Sequence, residues 1–362
     1  RGRLERDRPA RDLPKSSRGS IAPDTTSPLA RRTRSSCASF EFNFATRKDL
    51  VPLDPVARKL LDEVAASGRA NAHLLPVAEA RVNFESLFAG LGAVEPVAAV
   101  GEHAIPVAGA AIPARSYRAL GAGAAERLPL VVYFHGGGWL LGSVSSHDGI
   151  CRSLANASGA VVLNVGYRLG PEHRFPAAAD DALAATRWAH ANATLLGSDR
   201  ERLAVAGDSA GGNLAAVVCQ DLRDAGEDIV RFQLLIYPVT TADLAIGFDM
   251  AYEGYFLYRD ELLWHQEHYL ASPADARSAR VSPLLGAASG LPPASIQAAE
   301  CDPLHAQAEL YRDHLAAAGV PVTFHEYPGM IHGYFGLGSV FDAAGRAMAD
   351  AGSALRRGLA SM

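Results

Sequence analysis

From about residue 111 onward, short apolar runs alternate with longer amphipathic stretches. Six runs stand out: "LPLVVYF" (128–134), "GAVVLNVGY" (159–167), "RLAVAG" (202–207), "VRFQLLIY" (230–237), "ASIQAAE" (294–300) and "VPVTFHEY" (320–327). Their length and apolar character predict β-strands. Between most of them lie segments of helical length, such as "AAADDALAATRWAHANA" (177–193). Apolar strands separated by helices predict an α/β architecture, with a mostly parallel sheet covered by helices on both faces. Upstream, "LDPVARKLLDEVAASG" (53–68) sets Val56, Leu60, Leu61 and Val64 at helical spacing, with Gly68 placed to end the helix. A second amphipathic stretch follows in "VAEARVNFESLFAGLG" (77–92). One interval breaks the strand–helix rhythm. Residues 241–281, which include "FDMAYEGYFLYRDELLWHQEHYL", are aromatic, charged and too long for a structureless loop. They predict an inserted helical lid over the carboxyl edge of the sheet.

The chain has 362 residues, 49% of them hydrophobic, which suffices for one large α/β domain with an accessory piece or for two small domains. A net charge of −5 gives no reason to expect nucleic acid or an anionic membrane as partner. The charge is uneven, however: residues 1–34 hold ten Arg or Lys against four acids. That stretch is rich in Pro and Ser and lacks apolar periodicity, so residues 1–48 are expected to form a disordered basic tail. The chain opens on Arg1 rather than Met, consistent with a natural start further upstream. The arginine pair in "RRTRSS" precedes no apolar stretch and makes a poor export signal, and no run reaches the ~18 apolar residues that span a bilayer. Cys37, Cys151, Cys219 and Cys301 are scattered without C-x-x-C spacing, which argues against a zinc site or a disulfide framework. A soluble protein in a reducing, cytoplasmic compartment is the expectation.

Candidate chemistry centres on "AVAGDSAGGNLAAVV" (204–218), where Ser209 lies between Gly207 and Gly211 at a predicted strand-to-helix junction. A serine hydroxyl is a weak nucleophile until a base takes its proton, and a sharp turn with small neighbours presents it outward. Alone, G-x-S-x-G is only moderately specific: a chain with 34 glycines can produce it by chance, and a Gly-rich helix start can instead cradle phosphate. A second element strengthens the reading. The strand 128–134 runs into "HGGGW" (135–139), and consecutive glycines can turn backbone N–H groups toward one point, as oxyanion stabilisation in acyl transfer requires. For the acid and base, Asp302 follows the strand 294–300, and His332 follows the strand 320–327 on a Gly-flanked loop. Glu300 is a rival acid but falls inside its strand, while Asp302 precedes Pro303, where a carboxylate can also serve as a helix cap. His325 lies within a strand and His305 begins a helix. The order Ser209, Asp302, His332 is that of α/β-hydrolases and differs from both large serine-protease folds.

Taken together, residues 50–362 resemble the hormone-sensitive-lipase-like family of α/β-hydrolases, which includes bacterial carboxylesterases. The resemblance rests on "HGGGW" (135–139), "YRLGPEHRFPAAADDA" (167–182), "GDSAGG" (207–212), "SPLL" (282–285), "DPL" (302–304) and "GMIHGY" (329–334), in family order and similar spacing. Gly170 stands where the family usually has Ala, a change read as neutral. "HAQAELY" follows "DPL" where an acidic, Arg-containing stretch is more usual, which leaves the side chains near the acid open. The resemblance implies an α/β-hydrolase core at 96–362, with a cap made of N-terminal helices (49–95) and the insertion at about 241–281. It implies a serine carboxylesterase acting on short to medium acyl chains through Ser209, His332 and Asp302, without metal or organic cofactor. The oxyanion donors would be the backbone N–H groups of Gly137, Gly138 and Ala210, and His135 would brace their loop. An amidase or carbamate hydrolase could use the same triad. A non-catalytic small-molecule binder is the other alternative, as in the plant gibberellin receptor, which lacks the catalytic histidine; His332 argues against it. The expected partner is a small-molecule ester, and an edge strand at 320–327 could support a homodimer. The triglycine loop should also admit esters of tertiary alcohols, provided Trp139 does not cross the pocket.

Overall fold

A computed structural model describes residues 52–360 apart from 92–93 and 124; the tail expected at 1–48, with Cys37, lies outside the described residues. An eight-stranded sheet organises the rest, in the order β1-β2-β4-β3-β5-β6-β7-β8. The strands are β1 (Ala99–Val107), β2 (Ala110–Arg118), β3 (Leu128–Phe134), β4 (Val161–Val165), β5 (Ser198–Asp208), β6 (Phe232–Ile236), β7 (Ala294–Ala299) and β8 (Val322–Tyr327). From β4 to β8 all neighbours are parallel, whereas β1, β2 and β4 pair antiparallel. The fold is an α/β-hydrolase fold. The six expected strands are β3 to β8, with ends shifted by a few residues, and β8 lies at a sheet edge as anticipated.

The β1–β2 hairpin was not expected from the sequence. Gly101, Pro106 and Pro113 are poor strand residues, and most of β1 is exposed. An outermost strand tolerates Pro106, because the outward side of an edge has no ladder to complete.

Strand β3 shows how the buried layers form. Leu130, Val132 and Phe134 point into one apolar cluster, Val131 and Tyr133 into the other. The first cluster lies under α4 (Ala177–Ala191), α5 (Ala210–Asp224) and α7 (His305–Ala317); the second lies under α3 (Asp148–Ser158) and α8 (Asp342–Gly358). Apolar residues at both parities of the pleat are what a sheet covered on both faces requires.

Helix α1 (Pro55–Ala66) begins where Asp54 Oδ1 accepts the Val56 N–H at 2.8 Å, and Gly68 follows its end with φ +66°. Its predicted apolar face is only partly covered: Val56 and Val64 are 46% and 38% exposed, and the buried residue is Ala57. Helix α2 (Val77–Leu91) follows, and the 241–281 insertion contributes α6 (Arg259–Tyr269) with short 3-10 turns on either side. The insertion is therefore less helical than a lid of its length suggests. No helix among the described residues is long and apolar enough to cross a membrane.

Candidate active site

Ser209 occupies the turn between β5 and α5, at φ +52° and ψ −117°, a conformation that side-chain-bearing residues seldom adopt. The ladder holds it there: its N–H donates to Ile236 O at 2.8 Å. The flanking glycines are dictated by contact. A Cβ on Gly211 would lie 1.9 Å from Phe134 O, and one on Gly207 would lie 2.4 Å from the carbonyl carbon of Gly211. No larger residue fits this crossing of β3, β5 and α5.

Asp302 and His332 come from the ends of β7 and β8 to meet that serine. His332 Nδ1 lies 2.7 Å from Asp302 Oδ2, and His332 Nε2 lies 2.9 Å from Ser209 Oγ. Asp302 is wholly buried and accepts the Leu304 N–H on its other oxygen at 2.8 Å. Burial opposes protonation of His332, but the Asp302 carboxylate outweighs it, and the ring's pKa stands above the ordinary histidine value, with Asp208 and Glu261 adding to the rise. Glu300 does not join this line; it turns to the Gly329 N–H at 3.1 Å. His305 is paired with Glu326 at 2.6 Å, and His325 remains on β8 with its Nε2 unpartnered.

The triglycine loop leaves β3 beside the turn. Gly137 (φ +110°) and Gly138 (φ +60°) donate their N–H groups to no acceptor among the described residues, and both border the same cavity as Ser209 and His332. Ala210 opens α5, where the first N–H groups have no carbonyl in their own helix. Gly138 is irreplaceable by contact too, since an added Cβ would sit 2.4 Å from the ring of His265 on α6. His135 is buried, its Nδ1 bonds Gly136 O at 2.8 Å, and its ring stacks on Tyr167 at 4.3 Å. Burial and the neighbouring His147 push its pKa down to about 3, so it stays neutral.

Sequence reading missed the group behind the loop. Asp208 Oδ1 accepts from the Gly136 N–H at 3.0 Å and the Tyr133 hydroxyl at 2.8 Å, and His147 Nε2 lies 3.2 Å away. Burial alone would raise this carboxyl, yet these donors hold it below the usual range. The available signal was an acid ending an otherwise apolar strand, one residue before the serine. Arg81 of α2 was missed as well. Its guanidinium donates to Leu140 O (2.8 Å) and Gly170 O (2.7 Å) while pairing with Glu172 at 2.7 Å. Gly170 is not neutral in this chain: a Cβ there would lie 2.8 Å from His268 O.

The cavity above Ser209 measures about 470 Å³. Leu61 and Val64 of α1, Phe84 and Phe88 of α2, and Glu261, Leu262 and His265 of α6 line it, with Trp139. Trp139 lies flat on Tyr269, ring centroids 4.5 Å apart, so its ring packs against α6. A larger groove of about 910 Å³ sits at the amino ends of β5 to β7, the far end of the sheet from Ser209, where Arg202, Arg223 and Arg231 are matched with acids. Among the described residues, no three His, Cys, Asp or Glu side chains are grouped to hold a metal ion.

Residues 131–336 match a family model described as an alpha/beta hydrolase fold. The ethyl acetate hydrolase of Pseudomonas putida is 42% identical over 278 residues, 75% of this chain and 87% of that protein. The carboxylesterase NlhH of Mycobacterium tuberculosis is 44% identical over 239 residues, 65% of this chain and 75% of that one. This chain belongs to the hormone-sensitive-lipase-like family of α/β-hydrolases. Solved structures agree with that membership. The hyperthermophilic esterase of the archaeon Pyrobaculum calidifontis superposes with a TM-score of 0.79 at 41% identity, over 84% of this chain and 98% of its own. The hydrolase LAE6, from the Lake Arreo metagenome, does so with a TM-score of 0.81 at 40% identity, over 85% and 99%. Like these family members, the chain is a carboxylic ester hydrolase.

Proposed function

We propose that the protein is a serine carboxylesterase that cleaves esters of short to medium acyl chains through an acyl-enzyme on Ser209. The observation that supports this best is the unbroken line from Asp302 through His332 to Ser209 Oγ, at 2.7 and 2.9 Å. In the proposed cycle, His332 Nε2 takes the hydroxyl proton as Oγ attacks the ester carbonyl. The N–H groups of Gly137, Gly138 and Ala210 receive the negative oxygen. His332 then protonates the departing alcohol, and in the second half it draws a proton from water, which attacks the acyl-enzyme and frees the acid. Asp302 holds the ring so that Nε2 faces the serine. No metal or organic cofactor enters this cycle.

A cavity of about 470 Å³ has room for an ester of short to medium chain, and ethyl acetate, named for the Pseudomonas putida relative, is the first ester to test. Residues 49–95 and 241–281 act in this reading as a cap over the 96–362 core. Ser209→Ala tests the proposal: turnover of ethyl acetate should fall by about 10⁶-fold with the fold unchanged by circular dichroism. Retention of more than a trace of activity would remove Ser209 from the mechanism.

A further inference from the structure

The cavity's walls are mostly apolar; Arg58, Asp62 and Arg69 border it from the α1 side, with Arg58 donating to the Tyr255 hydroxyl, while Glu261 of α6 borders it and makes no hydrogen bond or ion pair with any other described residue. One turn along the same helix face, His265 borders the cavity with its Nε2 buried and unpartnered. Glu261 is part-buried, and desolvation pushes its carboxyl up to about 7 against the opposing pull of His332. Burial also holds His265 neutral, its pKa down to about 3, so that ring does not repel a cation. A partly desolvated carboxylate without a hydrogen-bond partner is disfavoured, and a ligand that carries its own cation offsets part of that. Tyr237, Phe256 and Tyr258 line the same space, and their ring faces also favour a cation.

The position of Glu261 bears on which part of the ester it meets. Glu261 borders the same cavity as Ser209 and His332, the group that protonates the departing alcohol in the proposed cycle, so part of an ester held at Ser209 enters the space that Glu261 lines. We infer that Glu261 selects esters whose alcohol part carries an amine, its carboxylate pairing with the substrate ammonium. This assignment rests on the proposed serine-esterase reading.

Two acetates isolate the charge: 2-(dimethylamino)ethyl acetate and 3-methylbutyl acetate share a skeleton and differ at the branch atom, protonated nitrogen against CH. The readout is the ratio of kcat/KM for the amine over its isostere, near neutral pH, in the wild type and in Glu261→Gln. The ratio should drop about tenfold or more in the variant, the usual weight of a charged hydrogen bond. An unchanged ratio, or an equal fall for both esters, overturns the assignment. Binding without turnover supplies the separate arm. By calorimetry, Ser209→Ala should bind the amine ester about tenfold more tightly than Ser209→Ala/Glu261→Gln. Equal affinities would reject the role of Glu261. An affinity difference alongside a wild type that turns over neither ester would instead reject the esterase cycle and leave the recognition standing.

Discussion

Below the cavity, Ser209, Asp302, His332 and the glycine loop follow the ends of parallel strands, and the serine and the triad partners are held by backbone and side-chain hydrogen bonds. Above it, the lining comes from helices α1, α2 and α6, of which α1 buries only Ala57 while α6 buries Leu262, His265 and Tyr269. Val56 and Val64 of α1 remain largely open, and α2 is tied down by Arg81 reaching the carbonyls of Leu140 and Gly170. The serine turn has no room to adjust: a methyl group on Gly207 or Gly211 meets backbone atoms within 2.4 Å. The upper layer carries side chains that line the cavity without belonging to the Ser209–His332–Asp302 line, among them Glu261, which has no hydrogen-bond or ion-pair partner among the described residues. Chemistry and selection are thus assigned to layers of different rigidity.

The largest predicted contrast lies within the lower layer, between two carboxylates only two residues apart. Asp302→Asn should lower kcat on ethyl acetate by about 10⁴-fold, because the amide favours the wrong tautomer of His332. Glu300→Gln, whose amide oxygen can still accept from the Gly329 N–H, should cost far less. A reversed ranking in steady-state kinetics would transfer the acid role to Glu300.

A smaller effect is expected where the two layers touch. Gly138→Ala drives a methyl into His265 and displaces a proposed oxyanion donor, so kcat should fall by about 10²- to 10³-fold. Adding His265→Ala should recover part of that loss by removing the clash, though not the strain of an alanine at φ +60°. The same loop, with Trp139 folded onto Tyr269, should let the wild type hydrolyse tert-butyl acetate, more slowly than ethyl acetate. Lack of any recovery in the double variant would show that the floor and roof are not in steric contact there.

The smallest effect belongs to the roof alone. Arg81→Ala removes two charged bonds to carbonyls, worth about 1.5–3 kcal/mol each at most, plus a half-exposed ion pair that contributes little. The thermal midpoint should fall by a few degrees and α2 should become more open to limited proteolysis, with kcat/KM reduced only a few-fold. A loss of activity as large as that of Gly138→Ala would contradict the division between layers.

The same division explains what could be read from the chain. Strands β3 to β7 were legible because each contains a compact apolar run buried at both pleat parities, β8 because it follows a helix as a short β-branched and aromatic run at the sheet edge, and the serine turn because sterics leave only glycine at positions 207 and 211. The β1–β2 hairpin was hidden by its prolines and its exposure. Asp302 and His332 could be nominated from their places after strands, but their meeting is a product of the strand order. Arg81 and its carbonyl partners lie 59 and 89 residues apart, and Asp208 meets Gly136 across 72, distances at which no local pattern operates. Glu261 was legible only as one acid in a charged segment; its lack of a partner is a property of the cavity.

The central claim, a serine activated by His332, is tested most directly by the rate at which diethyl 4-nitrophenyl phosphate labels the intact protein across pH, with the modified peptide located by mass spectrometry. Nε2 must be unprotonated to accept the serine proton, and the His332 pKa is raised above its ordinary 6.5. Labelling should therefore fall on Ser209 alone, be fast at alkaline pH, and decline as the pH drops through a value above 6.5. Modification of a different residue, or a Ser209 labelling rate that stays level from alkaline pH to well below 6.5, would contradict the account.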